Sequence, residues 1–176
     1  AQQTVPQGWF KTCRENGDRK VCTTQQVRTA STGQLVTAIA LIQITGGQKV
    51  ELVQVSVPSG RQIPQGIGMS IDGSKPTKIP YITCLPDRCV AEIRLTNELV
   101  NSMKRGGELT LASVNFRRQP NPVKMTLTGF TAAFDGPPLD QREVVENQKK
   151  LQEELARKAE EARKKLEEAQ EKAKEQ

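Results

Sequence analysis

The chain has 176 residues, a formal net charge of +6, four cysteines, no histidine and 3% aromatic residues. The length suits one domain or one domain plus an appendage, and the missing histidine excludes His-based catalytic triads and His-ligated metals. No apolar run approaches the ~18 residues of a membrane span; residues 35–45 come closest, and Thr37 and Gln43 interrupt them.

The chain opens Ala1-Gln2-Gln3 without an initiator Met, as a mature protein does after signal-peptide cleavage behind a small residue. The lone Trp9, close to Cys13, is expected to plug a core. Short β-type runs then recur between turn residues. A strand over residues 21–27 follows the Asn16-Gly17-Asp18 turn, and residues 35–44 form the longest apolar run, suited to a central strand. Gly46-Gly47 turns the chain into residues 50–57, where Val50, Leu52 and Gln54 share one face and Val53, Val55 and Val57 the other. Two apolar faces fit a strand covered on both sides. Gly66-Ile67-Gly68 is read as a turn entering a strand, since no helix or third glycine follows as nucleotide binding requires.

Residues 67–71 lead into Asp72-Gly73, a hairpin signal because glycine tolerates the positive φ such turns need. Strands over residues 79–83 and 90–95 flank the turn between Cys84 and Cys89. One short helix follows, capped by Thr96, striped by Leu99, Val100 and Met103, and stopped by Gly106-Gly107. Strands resume over residues 108–116 and 123–128, and Phe130 and Phe134 are expected to close the edge of the fold. The expectation is an all-β, immunoglobulin-like two-layer β-sandwich with one short connecting helix, over residues 1–136.

After Pro137-Pro138 the composition changes, and Ala, Glu, Lys, Leu and Gln dominate to Gln176. Glu-to-base pairs four apart, such as Glu153/Arg157 and Glu161/Lys165, and an apolar seam at Leu151, Leu155, Ala159, Ala162 and Leu166 predict a long C-terminal α-helix over residues 137–176. The seam is mostly alanine, which favours a solvated spacer over a coiled coil. Leu151, Leu155 and Leu166 are the candidate partner-binding anchors, with the tail entering a protein complex. Residues 139–176 hold 10 Lys+Arg and 11 Asp+Glu, so the basic surplus belongs to the preceding body. A basic body suits anionic lipid headgroups, lipopolysaccharide phosphates or an acidic protein. Nucleic acid is disfavoured, because the aromatics are scattered rather than set among the charges.

Close cysteine pairs in even number point to an oxidising compartment. An all-thiolate zinc site fits poorly, because eight and four intervening residues do not match common zinc knuckles. Three disulfide connectivities are open to Cys13, Cys22, Cys84 and Cys89; Cys13–Cys22 with Cys84–Cys89 needs the least chain rearrangement, and cross-pairing stays open. No carboxylate pair stands out for acid–base work, since Asp87, Glu92 and Asp135 lie in turn or surface settings. No catalytic residue, metal or cofactor is expected.

Four separated motifs carry a family resemblance: Trp9-Phe10-Lys11-Thr12-Cys13, the run from Ile63 to Gly73, the run from Pro80 through Glu92, and Gly129-Phe130-Thr131-Ala132-Ala133-Phe134-Asp135. In order and spacing the chain resembles the invasion-associated locus B family over about residues 8–136. The resemblance implies an exported bacterial envelope protein with a β-sandwich fold, some of whose members are implicated in host-cell invasion, and it carries over no catalytic residues. The long charged tail departs from the short ending expected of that family. The reading is therefore a non-enzymatic interaction or scaffold module in the periplasm or at the outer membrane, binding an envelope protein or an anionic envelope component. A secreted invasion or adhesion factor on host cells is the alternative, and the oligomeric state is left open.

Overall fold

Turn chemistry lays out the first sheet. β1 (Phe10–Asn16) reverses at Gly17, whose φ of 64° suits a residue without Cβ, and returns as β2 (Arg19–Thr29). β3 (Leu35–Thr45) and β4 (Val50–Pro58) are joined by a second reversal at Gly46-Gly47. A Cβ on Gly46 would overlap the Asp18 carbonyl of the neighbouring turn, so close approach as well as a φ of 86° requires glycine there. The chain crosses to a second sheet through a 3-10 turn at Ile63–Gln65, then forms β5 (Ile67–Ile71) and β6 (Thr77–Ile79). It recrosses at Pro80 into β7 (Tyr81–Cys84) and β8 (Arg88–Arg94). The single strand expected over residues 79–83 is thus two strands in different sheets. Proline has no N–H for a ladder, and the chain changes sheets where that donor is missing.

After β8 comes α1 (Asn97–Arg105), then β9 (Glu108–Val114), β10 (Pro120–Thr126) and α2 (Phe130–Asp135). The Thr96 hydroxyl accepts a bond from the Leu99 N–H at 3.3 Å and caps α1, and Val100 and Met103 bury its inner face. The computed structural model describes residues 6–140, together with Lys149, Glu153, 156–158, Glu160, Glu161 and Arg163. The named elements lie in one compact unit, Val5–Pro138; a second unit comprises Ala1–Thr4 with Leu139–Gln176.

Strand pairing is antiparallel throughout, in a six-stranded sheet ordered β1-β2-β3-β4-β8-β7 and a four-stranded sheet ordered β10-β9-β5-β6. Alternation along the strands fills the space between them. Ile39, Leu41, Val53 and Val55 from one sheet meet Ile67, Ile79, Leu109 and Leu111 from the other, all essentially without solvent exposure. The outward-facing Ile42, Ile44, Val50 and Leu52 are half-buried. One margin of the sandwich is held by side chains bonded to backbone. Trp9 Nε1 donates to the Thr126 carbonyl at 2.8 Å, Arg28 Nη1 to Lys124 at 2.6 Å, and Lys11 Nζ to Phe134 and Gly136 at 2.8 and 3.1 Å.

The sandwich and α1 follow the sequence reading, with three corrections. The connectivity is not immunoglobulin-like: β1–β4 run as a consecutive meander within one sheet of a ten-strand fold, rather than dividing seven or nine strands by Greek-key links. A second helix, α2, carries Phe130 and Phe134, where an edge closure without helix was expected. The long C-terminal α-helix is overturned. Among the described residues the helices are α1, α2 and the 3-10 turn at Ile63–Gln65, and no long C-terminal helix is among them. Charge pairs four apart add only a few tenths of a kcal/mol each, and helices in proteins owe most of their stability to packing that an alanine seam cannot supply. The coiled-coil argument falls with that helix.

Candidate functional site

Three connections converge at one end of the sandwich, and hydrogen bonds lock them together. The turn between β9 and β10 is organised by Asn115, whose Oδ1 accepts from the Arg117 N–H at 2.9 Å and the Gln119 N–H at 3.0 Å. Asparagine here copies a backbone turn with its own side chain. The turn is fastened to the segment between β4 and β5, because the Phe116 N–H donates to the Gly60 carbonyl at 3.0 Å and the Gln62 N–H to Val114 at 2.9 Å. That segment also grips the β7–β8 hairpin: Ser59 donates from its backbone N–H to Asp87 at 3.3 Å and from its hydroxyl to Pro86 at 3.0 Å.

This frame presents apolar side chains to solvent. Phe116 is 70% exposed, Leu85 50% and Ile63 49%, exposures that folding alone does not reward. Arginine surrounds them. Arg117 lies over the Phe116 ring, 5.5 Å from its centroid, and Arg118 follows at the tip with a φ of 62°. Arg88 ion-pairs with Asp87 at 2.7 Å, and the hydrogen bond from Arg88 is the main cause holding the Asp87 carboxyl below its ordinary pKa. The acid at this end is thus neutralised by its neighbour, leaving Arg117 and Arg118 to set the local sign. Apolar tips among guanidinium groups can dock on a surface that is apolar beneath and anionic above, or on an acidic protein face.

Arg61 differs from the exposed arginines. It is half-buried, with Nε donating to the Pro58 carbonyl at 3.1 Å and Nη1 to Asn121 Oδ1 at 3.0 Å. Its charge is felt by the Tyr81 phenol, whose Oη is buried without a partner; burial raises that pKa and Arg61 works against the rise.

The structure places all four cysteines in local bridges. Cys13 and Cys22 are direct cross-strand neighbours on β1 and β2 with an S–S distance of 2.04 Å, and Cys84 and Cys89 close the β7–β8 hairpin at 2.00 Å. The second bridge forms the base of the hairpin whose tip joins the site. Leu151, Leu155 and Leu166 lie outside the described residues. Trp9 is partly buried and packs edge-on against the core residue Phe130, at 4.9 Å between ring centroids. Among the described residues no group of three His, Cys, Asp or Glu side chains is arranged to hold a metal, and no described helix is long and apolar enough to cross a membrane. The sequence reading missed the role of Phe116 by ending a strand on it. The run Arg117-Arg118-Gln119-Pro120 behind a strand marks a turn, and would have set Phe116 at its tip.

Fold and cysteines define the class: a two-sheet antiparallel sandwich stapled within two hairpins. Residues 9–138 match the family described as Invasion associated locus B (IalB) protein, and the chain belongs to that family. Over 135 residues it is 30% identical to the Invasion protein B homolog of Brucella abortus (strain 2308), covering 76% of this chain and 77% of the relative. The homolog of Brucella abortus biovar 1 (strain 9-941) matches with the same identity of 30%. The crystal structure of invasion associated protein B from Bartonella henselae has a TM-score of 0.60 at 20% identity, covering 80% of this chain and 94% of that one. At that identity the likeness concerns the fold.

Proposed function

We propose that the protein is a non-enzymatic exported component of the bacterial envelope that docks on an anionic envelope surface through the Phe116 end of its sandwich. Export is supported by the two closed disulfides, which persist in oxidising compartments. The observation that carries the docking role is Phe116, held 70% exposed on a hydrogen-bonded tip beside Arg117 and Arg118. Burying such a ring contributes about 1.5–3 kcal/mol, and each basic residue near an anionic lipid surface contributes about 1 kcal/mol. Together they suit a salt-sensitive, reversible attachment.

Co-sedimentation with vesicles tests this. The protein should pellet with phosphatidylglycerol vesicles and not with phosphatidylcholine vesicles; F116S and R117Q/R118Q should each weaken pelleting several-fold. Equal binding to both vesicle types, or unchanged binding by both variants, overturns the docking surface. A second reading, action on host cells, draws on the invasion names of the relatives. Fractionation separates the two: retention in the envelope supports the first, and release into the medium the second.

A further inference from the structure

Beside the docking end, the two sheets part to leave a cleft of about 340 Å³ that enters the sandwich between β3 and β10. Its floor is core. Val57 and Leu111 are 4% and 1% exposed, and Leu35 and Val123 wall it on either side. No acidic side chain is among the described residues that line it, and its one charge is Arg61. That guanidinium is anchored by its bonds to Pro58 and Asn121, which occupy Nε and one N–H of Nη1. Both N–H groups of Nη2 stay uncommitted, since a guanidinium has five donors.

A cleft with an apolar floor, polar side chains of Gln34, Ser113 and Asn121 in its lining and one fixed, half-satisfied guanidinium has a definite complement. It takes a chain with an anionic, planar, two-oxygen head, because arginine pairs with a carboxylate through two parallel bonds. The cleft has the size of a small ligand site, and at about 30 Å³ per water-sized unit it holds roughly ten chain atoms. We infer that this cleft binds a single-chain carboxylate amphiphile of the fatty-acid class, its head on Arg61 and its chain against Val57 and Leu111. The site is distinct from the docking surface, and its occupation does not require Phe116, Arg117 or Arg118.

Decanoate, kept below its micelle-forming concentration, is the probe. Titration of the full chain, followed by amide NMR shifts, should give saturable changes at Val57, Leu111 and Val123. Decanol and decylammonium should bind at least tenfold more weakly, and R61Q should weaken decanoate at least tenfold while leaving decanol unchanged. V123F, on an edge strand, should block decanoate with its melting temperature near that of the parent. The F116S/R117Q/R118Q variant should keep full decanoate affinity, so failure of vesicle docking and failure of the cleft are separate results. Decanol or decylammonium binding as tightly as decanoate, indifference of decanoate to R61Q, or shifts confined to residues outside the cleft overturns the assignment.

Discussion

Replacing Phe130 by alanine tests whether α2 fastens the sandwich margin. Phe130 has no solvent exposure and sits between two rings, Trp9 at 4.9 Å and Phe134 at 5.5 Å between centroids. Deleting a buried phenylalanine costs about 3–5 kcal/mol through lost transfer energy and the cavity left behind. The edge-to-face pair with Trp9 accounts for about 0.5–1.5 kcal/mol of interaction, part of it within that total. A domain of this size is stable by roughly 6–20 kcal/mol at about 0.05–0.15 kcal/mol per residue, so the variant should fold but unfold earlier. With a urea m-value near 2 kcal/mol/M, the midpoint should fall by about 1.5–2.5 M. Trp9 is the sole tryptophan, which makes its fluorescence a local reporter beside far-UV circular dichroism. Native emission should shift to longer wavelength, and F130L should give a smaller midpoint change than F130A. A loss under about 1 kcal/mol with unchanged Trp9 emission would refute the fastening role, since it would require Phe130 to be neither well packed nor in contact with that ring.

Paired serine substitutions at Cys13/Cys22 and at Cys84/Cys89 should each lower stability by roughly 2–3 kcal/mol, from the chain entropy of their short loops, read by denaturant melts. Only the second pair should also weaken vesicle binding, because it forms the base of the hairpin that Ser59 fastens to the proposed docking end. The Glu51 carboxyl is held below its ordinary pKa of 4.5, first by the hydrogen bond from Lys49 at 3.1 Å and then by Gln43 and nearby cations, against the opposing effect of burial. A depressed folded pKa gives stability that is present above the unfolded value and lost as pH falls through the folded one. Parent protein should therefore lose more stability than E51Q between about pH 5 and pH 3, and K49A should shrink the difference; parallel pH profiles of parent and E51Q would refute it. Deleting residues 139–176 should leave the melting temperature of the sandwich nearly unchanged at matched concentration, since its core side chains precede Pro137; a large fall would mean that the removed segment contributes to folding.

The parts of the fold legible in the sequence are those where one face must be apolar every second residue. Residues 50–57 show this: their odd positions carry the buried Val53, Val55 and Val57. β1 was illegible because Lys11, Arg14 and Glu15 break any such alternation, and it is a strand through pairing with β2, including Cys13 opposite Cys22. The split at Pro80 depends on where two sheets lie, which no local pattern encodes. Charge pairing in residues 139–176 is a local signal too, and it predicts a continuous helix that is not among the elements of the described residues. The end that carries Phe116 was hidden for a related reason. Exposure of Phe116 follows from the Asn115 turn and from the bond to Gly60, more than 50 residues earlier in the chain. The cleft needs side chains from several strands and a half-buried arginine whose partners, Pro58 and Asn121, straddle two sheets.

The crossing at Pro80 gives the sandwich a bound side and a free side, like the spine and fore-edge of a book. At the spine, β6 passes directly into β7 through a single residue, so the two sheets cannot part there without stretching the backbone. At the fore-edge, among the described residues, β10 is held by side-chain bonds from Trp9 and from Arg28 of β2, and α2 by those from Lys11 of β1, and these can break one at a time. Any leafing apart of the sheets therefore begins along β10. Val123, a wall of the Arg61 cleft, is carried on that strand, so the motion that loosens the protein is also the one that widens its interior to a guest.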